Sequence, residues 1–200
     1  WLGVLVHERE ALALAQEIRA AHTGNAAAIY GWLGNGFRGK GDIRRAREMH
    51  EQSKALFEEL GERAEVAMAC ENLGNCYQRT GDFARAREMH EQHRAIAEEL
   101  GDRAGLSRAC SGLGNCYGQT GDYPRAREMH GQHRAISQEL GDRVGVATAC
   151  SNLGNCYYST GDYGRAREMH EQAMATFEEL GDREQVSKAY GNLGVCYYRT

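Results

Sequence analysis

A 40-residue repeat is the feature that most restricts what this chain can fold into. Residues 81–120 and 121–160 align without a gap and are identical at 28 of 40 positions. The hexapeptide RAREMH begins at residues 45, 85, 125 and 165, and a Leu-Gly pair recurs at 33, 73, 113, 153 and 193. A repeat of this length cannot enclose a core by itself and must share one with its neighbours. The sequence therefore predicts an array of stacked units.

Each repeat contains the patterns of two amphipathic helices. In the first helix Cys70, Leu73 and Tyr77 follow the i, i+3, i+7 spacing of one helical face, and the second helix carries the RAREMH motif. Between them Gly81 can end a helix in the left-handed conformation, and Asp82 can cap the next one. The expected fold is all-α, a right-handed α-solenoid of stacked antiparallel helix pairs.

The two ends of the chain differ from the middle. Residues 30–200 are expected to form about four full units, with the last repeat truncated after its first helix. Residues 1–29 fit the register poorly, and HEREALALAQEI resembles the second helix of a divergent, partial first repeat. No second helix covers Leu193 and Tyr197, so we expect an exposed apolar face there, fast hydrogen exchange and self-association through this uncapped C-terminal helix.

Composition and charge narrow the class of partner. The chain has 42% hydrophobic and 26% charged residues, and no apolar run approaches the length of a membrane span. Its formal net charge is -4, without basic blocks. We therefore expect no nucleic-acid partner and no membrane insertion.

The cysteines follow the repeat and do not form an obvious disulfide framework. Equivalent positions in successive stacked repeats should lie about 10 Å apart, which is beyond the reach of a disulfide. Free thiols in a reducing compartment are the simplest interpretation, so a cytoplasmic location is expected. The seven positions are Cys70, Cys110, Cys150, Cys76, Cys116, Cys156 and Cys196.

The repeat resembles a known family. Leu73-Gly74, Tyr77, Phe83 and Ala86 resemble the tetratricopeptide signature. The 40-residue form, with NLGNCYQRTGDF, MHEQH and ELGDR, is similar to the longer repeats of the Pins/LGN class of G-protein signalling modulators. The resemblance implies a concave groove for a peptide and an adaptor role in G-protein signalling or cell polarity.

A column of asparagines is the candidate contact with such a peptide. Asn75 lies two positions after Leu73, about 200° around the helix, on the side away from the core. A carboxamide both donates and accepts, which suits the backbone of an extended peptide. The alternative is that these side chains hydrogen-bond between neighbouring helices. The predicted peptide-binding residues are Asn35, Asn75, Asn115, Asn155, Arg38, Arg79, Arg108, Tyr158, Lys188, Tyr198 and Arg199.

The charges on the same face are mostly positive, although the whole chain is acidic. Glu71 is the acidic residue among them, which favours a partner segment that is polar to acidic. A solvated face with a chance excess of charge is the alternative. The basic residues are Arg38, Arg79, Arg108, Lys188 and Arg199.

Neither a metal site nor a catalytic site is predicted. The core-facing histidines of the second helices are expected to be packed and hydrogen-bonded, and no CxxC or HExxH spacing is present. The glycines stand singly at helix ends and helix contacts, unlike those of a phosphate-binding loop. These histidines are His50, His90, His130 and His170.

The sequence thus predicts a non-catalytic interaction scaffold without a cofactor. A regulatory repeat arm of a larger signalling enzyme or ATPase is the alternative, and a purely architectural role is a third.

Overall fold

The computed structural model describes residues 2–199, with side chains from residue 21 onward. Within this range the chain consists of nine α-helices and contains no strand. No described helix is both long enough and apolar enough to cross a membrane. The helices are α1 Leu2–Gly39, α2 Ile43–Leu60, α3 Arg63–Arg79, α4 Phe83–Leu100, α5 Arg103–Gln119, α6 Tyr123–Glu139, α7 Arg143–Ser159, α8 Tyr163–Leu180 and α9 Arg183–Arg199.

The odd-numbered and even-numbered helices occupy different sides of the array. Each helix packs on its neighbours in sequence, and α3 also contacts α5, α5 contacts α7, and α7 contacts α9. Within residues 2–199, no pair of even-numbered helices makes a contact as extensive as these three. Because the odd-numbered helices approach one another more closely, the array curves toward them. We call α1, α3, α5, α7 and α9 the inner helices and the others the outer helices; the all-α solenoid is confirmed.

The turns follow the predicted chemistry. Gly81 has φ 79°, and the side chain of Asp82 accepts a 3.1 Å hydrogen bond from the backbone N–H of Arg85. A glycine tolerates this left-handed conformation, and the aspartate satisfies an amide that the helix itself leaves free. The sequence prediction of helix ends at these turns is confirmed.

The hydrophobic core extends across the boundary between repeats. Leu73 and Tyr77 of α3 pack with Ala86 of α4 and with Cys116 of α5 in one cluster, so this cluster joins two consecutive repeats. All seven cysteines are buried, and they are thiols and not disulfides. The prediction that the cysteines follow the repeat as thiols is therefore confirmed.

The core histidines correct one expectation. The imidazole of His90 lies between Gly74 of α3 and Gly112 of α5, where an added Cβ would come within 2.6 Å and 2.5 Å of the ring. The prediction of packed histidines is right, but the prediction of hydrogen bonds is wrong for His50 and His90. Both ring nitrogens of these two side chains have no partner among the described residues. The glycine-lined spaces fit the ring but offer no polar groups to it.

Two arginines of the outer helices contact the ring of one tyrosine in each of α3, α5 and α7. The guanidinium carbons of Arg87 in α4 and Arg125 in α6 lie 5.8 Å and 4.9 Å from the ring centre of Tyr117 in α5. Each cation–π contact stabilises by about 0.5–1 kcal/mol at an exposed site. The RAREMH motif therefore contributes to the joint between repeats as well as to the helix surface.

The two ends only partly match the expectations. Helix α1 runs without interruption through residue 29, so no turn marks the expected boundary, and a divergent partial repeat there stays a prediction. The exposure of Leu193 was wrongly predicted: it is 6% exposed because α9 packs on α7 and α8. The expected exposure of Tyr197 is confirmed, at 56% against 8% for Tyr77.

Candidate functional site

The predicted asparagine column lies on the inner helices and lines three cavities. Asn35 lines a cavity of about 450 Å³ among α1, α2 and α3. Asn75 and Asn115 line one of about 300 Å³ among α3, α5 and α7. Asn115 and Asn155 line a third, of about 360 Å³, beside α5 and α7. The column therefore follows the concave side of the array, because Leu73, Leu113, Leu153 and Leu193 face the core. The equivalent residue of α1, Leu33, is 45% exposed.

Some of these asparagines hydrogen-bond between neighbouring helices. The amide of Asn152 donates to Oδ1 of Asn115 over 3.4 Å, and Asn192 donates to Asn155 over 3.5 Å. Bonds of this length at exposed positions are weak. The alternative interpretation, hydrogen bonding between neighbouring helices, therefore holds for the Oδ1 atoms of Asn115 and Asn155. Their amide N–H groups make no hydrogen bond with a described residue and can bind other partners.

Asn75 is an exception within the column. Its side chain makes no hydrogen bond with a described residue, because residue 112 is glycine where residues 152 and 192 are asparagine. Gln78 instead donates a 2.8 Å hydrogen bond to the backbone oxygen of Gly112. Both ends of the Asn75 carboxamide therefore remain available.

Three of the predicted basic residues keep their charge uncompensated. Arg38 donates to the side chains of Asn35 and Asn72, at 3.0 Å and 3.1 Å, and Arg79 donates over 3.5 Å to the backbone oxygen of Arg38. Neither has a carboxylate at ion-pair distance among the described residues. Arg199 at the end of α9 has no such carboxylate among the described residues either, so the unpaired positive charge of the predicted residues lies at α1, α3 and the end of α9.

Two other predicted basic residues are already paired. Arg108 donates a 2.9 Å hydrogen bond from Nε to Glu71 Oε2, and Nζ of Lys188 lies 2.7 Å from Glu184. Such exposed pairs stabilise the fold by less than about 1 kcal/mol. They nevertheless cancel part of the positive excess that the sequence pattern suggested.

The remaining predicted residues lie outside the three cavities. Tyr158 is half-buried, with its ring centre 5.4 Å from that of Tyr163, whereas Tyr198 is 88% exposed. The four asparagines and Arg108 are the predicted residues that line the cavities. The other six are Arg38, Arg79, Tyr158, Lys188, Tyr198 and Arg199.

Sequence reasoning missed the apolar lining of the first cavity. Trp32 is 76% exposed and Met68 is 49% exposed, and both line it. Trp32 stands at the repeat position that Asn72 occupies in the next unit. A tryptophan in place of an asparagine at this position was the sequence signal that could have revealed the apolar lining. This cavity offers apolar surface to a side chain, unlike the polar cavities farther along the array.

The ionisable groups near the groove are unlike those of a reactive centre. Burial raises the pKa of the Cys70 thiol to about 11, and burial lowers the pKa of His90 to about 4. Cys70 is therefore a thiol and His90 a neutral imidazole near pH 7. Among the described residues, no group of three or more His, Cys, Asp or Glu side chains is arranged to hold a metal ion.

Comparison with known proteins supports the repeat assignment. A family model described as "Tetratricopeptide repeat" matches residues 62–139 and 145–200. No curated protein sequence matches the chain. The narrower likeness to the Pins/LGN class stays a prediction.

Solved structures share the fold over most of the chain. BtubC (BKLC) from P. vanneervenii is 25% identical, with a TM-score of 0.78 over 97% of this chain and 79% of that one. A Rap protein complexed with competence and sporulation factor is 18% identical, with a TM-score of 0.76 over 86% of this chain and 48% of that one.

A larger signalling protein is also similar. The STAND protein PH0952 from Pyrococcus horikoshii, which has a tetratricopeptide repeat sensor, is 16% identical, with a TM-score of 0.80 over 88% of this chain. This chain covers 28% of PH0952 and 48% of the Rap protein, so these two likenesses concern the helical array alone.

Proposed function

Because the chain belongs to the tetratricopeptide repeat family, we propose that it is a non-catalytic interaction scaffold whose concave surface binds an extended segment of a protein partner. The observation that supports this most directly is the asparagine column along three cavities of the inner helices. The similar Rap structure is a complex with competence and sporulation factor, which accords with such a role.

The chemistry of the column suits an extended chain. A segment without secondary structure presents one N–H and one C=O per residue, and each must find a partner when it leaves water. The carboxamide of Asn75, free of hydrogen bonds to described residues, can serve both groups at once. Asn115 and Asn155 keep free amide N–H groups that can donate to peptide carbonyls.

The charges and cavities support a segment that is polar to acidic near α1 and α3. Arg38 and Arg79 lack carboxylate partners there, so an acidic side chain of the segment would form charge-assisted hydrogen bonds with them. Trp32 and Met68 offer an apolar contact in the same region. Tyr158, Lys188, Tyr198 and Arg199 would extend the contact toward α9.

The biological setting we propose is that of an adaptor in G-protein signalling or cell polarity, acting in the cytoplasm. We also propose self-association through α9, since Tyr190, Val195 and Tyr198 expose apolar surface there. These parts of the proposal rest on the sequence resemblance and on surface chemistry.

A peptide-display screen with the intact chain tests the groove. The affinity of the best peptide is measured by fluorescence anisotropy for the original chain and for the N75A/N115A variant. We expect a loss of about tenfold or more, because two hydrogen-bonding groups are removed from the interface. Gln52→Ala, on the exposed outer face of α2, is the matched control and should leave the affinity unchanged. Equal affinity of N75A/N115A and the original chain would refute the groove.

A second candidate function is a regulatory repeat arm of a larger signalling enzyme or ATPase. The similarity to the repeat sensor of PH0952, of which this chain covers 28%, favours this candidate. The full-length sequence of the protein discriminates the two functions. A catalytic motif outside residues 1–200 would favour the second, and short linear motifs would favour the adaptor.

A further inference from the structure

Arg108 fills a specific space between two consecutive inner helices. Its Nε hydrogen-bonds Glu71 of α3 at 2.9 Å, and its Nη2 lies 3.9 Å from Asp102 at the start of its own helix. The buried ring of His93 approaches the same Glu71, with Nε2 3.9 Å from Oε2. At this junction one arginine therefore lies within ion-pair distance of both carboxylates.

The next junction, between α5 and α7, has the equivalent aspartate and histidine but no arginine at the position of Arg108. Forty residues later, the positions of Arg108 and Glu71 are occupied by shorter polar side chains, while the aspartate and the histidine are retained. Because a threonine is much shorter than an arginine, the space that Arg108 fills is open at this junction. The equivalent residues are Thr148, Ser111, Asp142 and His133, and all four line the cavity of about 300 Å³ among α3, α5 and α7.

Asp142 is left with an uncompensated charge. Its Oδ1 accepts a 2.9 Å hydrogen bond from the backbone N–H of Gly145, as Oδ1 of Asp102 does from Gly105. Unlike Asp102, it has no basic side chain within ion-pair distance among the described residues. Arg108, which also lines the cavity, is already held by Glu71. The cavity therefore has an excess of negative charge.

The imidazole of His133 adds an unsatisfied polar group without adding charge. The side chain is 6% exposed, and its Nδ1 has no partner among the described residues. Burial lowers its pKa, against the opposing effect of Asp142, so the ring is neutral near pH 7. His90, also neutral, lines the cavity from α4. An anionic ligand would meet no free cation here.

We propose that this cavity is a side-chain subsite of the groove that takes a basic residue, lysine or arginine, of the bound partner. Asp142 would be the ion-pair partner, and the hydroxyl oxygens of Ser111 and Thr148 would accept hydrogen bonds from the cation. This inference rests on the proposed peptide-binding function and adds to it. The bound segment carries acidic character at α1 and α3 and a basic side chain at α5 and α7, which would fix its direction in the groove.

A single-residue probe tests the subsite without a peptide. N-acetyl-L-arginine amide is titrated into the ¹⁵N-labelled chain and followed by NMR, with N-acetyl-L-citrulline amide as an uncharged probe of the same shape. We expect amide shifts at Ser111, Gly145 and Thr148 with arginine and about tenfold weaker binding of citrulline. Equal binding of both probes, or no shifts with arginine, would overturn the proposal.

Two aspartate variants locate the charge. D142N keeps a residue that caps the helix well but removes the negative charge, and it should weaken arginine binding about tenfold. D102N is the matched control, and it should change binding less than about twofold, because Arg108 already occupies that junction. A larger effect of D102N than of D142N would contradict the assignment.

Filling the cavity provides an independent check. The S111E/T148R variant copies the preceding junction of the chain, so it should retain its helical circular dichroism and lose arginine binding. Retained binding would overturn the subsite. The groove and the subsite can fail separately: peptides captured by display without arginine-probe binding would refute the subsite alone. Probe binding at Asp142 without any captured peptide would refute the groove alone.

Discussion

The imidazole of His90 occupies the space that a side chain on Gly74 would need. A Cβ added to Gly74 would lie 2.6 Å from Cε1 of His90, closer than carbon atoms pack in proteins. Gly114 and His130 form the same pair one repeat later, with the added Cβ 2.5 Å from the ring. The Leu-Gly pair of one helix and the RAREMH motif of the next therefore recur together because one makes room for the other.

Gly74→Ala should destabilise the array by about 1–3 kcal/mol, because the added methyl group overpacks the contact with His90. Urea unfolding followed by circular dichroism measures the free energy of unfolding. Gly194→Ala is the control at the equivalent position of α9, where an added Cβ meets no atom within 4 Å. It should leave stability unchanged or raise it by up to about 1 kcal/mol, since alanine favours a helix. Equal effects of the two changes would contradict the pairing.

Stability should fall as the pH is lowered from about 6.5 toward 4. Burial holds the pKa of His50, His90 and His130 at about 4, whereas an unfolded histidine titrates near 6.5. The unfolded state therefore binds more protons in this range, and stability rises with pH until the unfolded histidines are neutral. At pH 5 each of the three should cost about 2 kcal/mol relative to pH 7.5.

Urea unfolding at pH 7.5, 6 and 5 measures this dependence. His90→Met removes one titrating ring, so the loss of stability between pH 7.5 and 5 should shrink by the contribution of one histidine. For each chain, the free energy of unfolding at pH 5 is subtracted from that at pH 7.5. A change in stability that H90M causes equally at both pH values therefore cancels. An unchanged pH dependence in H90M would show that His90 titrates normally in the folded chain.

The cysteine thiols should react slowly with iodoacetamide while the array is folded. Cys70 and Cys76 are fully buried, and burial raises the pKa of both thiols, so little thiolate is present or accessible at pH 8. Labelling followed by mass spectrometry should be at least about 100-fold slower than in urea, because reaction requires local opening. All seven cysteines should label in urea. Rapid labelling of Cys70 in the folded chain would contradict its burial.

Helix α9 should exchange its amide hydrogens faster than α5. Helix α5 packs against α3, α4, α6 and α7, whereas α9 contacts only α7 and α8 in the described chain. Fewer neighbours lower the free energy needed for local opening. Hydrogen exchange by mass spectrometry compares residues 185–199 with residues 105–119. Equal exchange in the two segments would show that the C-terminal helix is as stable as an internal one.

The sequence contained enough information to predict the fold. Helix periodicity, the glycine at each turn and the aspartate that caps the next helix all act over a few residues, so Gly81 and Asp82 could be interpreted locally. Repetition then supplied the long-range part, since each unit must bury the same face as its neighbour. The asparagine column followed from helical geometry relative to Leu73.

The tertiary structure decided which polar groups remain available. Arg108 and Glu71 are 37 positions apart, and the sequence alone gives no sign that they form an ion pair. The open carboxamide of Asn75, the unpartnered nitrogens of His90 and the unpaired charge of Asp142 likewise depend on residues of neighbouring repeats. Local chemistry determines where each helix begins and ends, but the availability of a side chain depends on what the next repeat places against it.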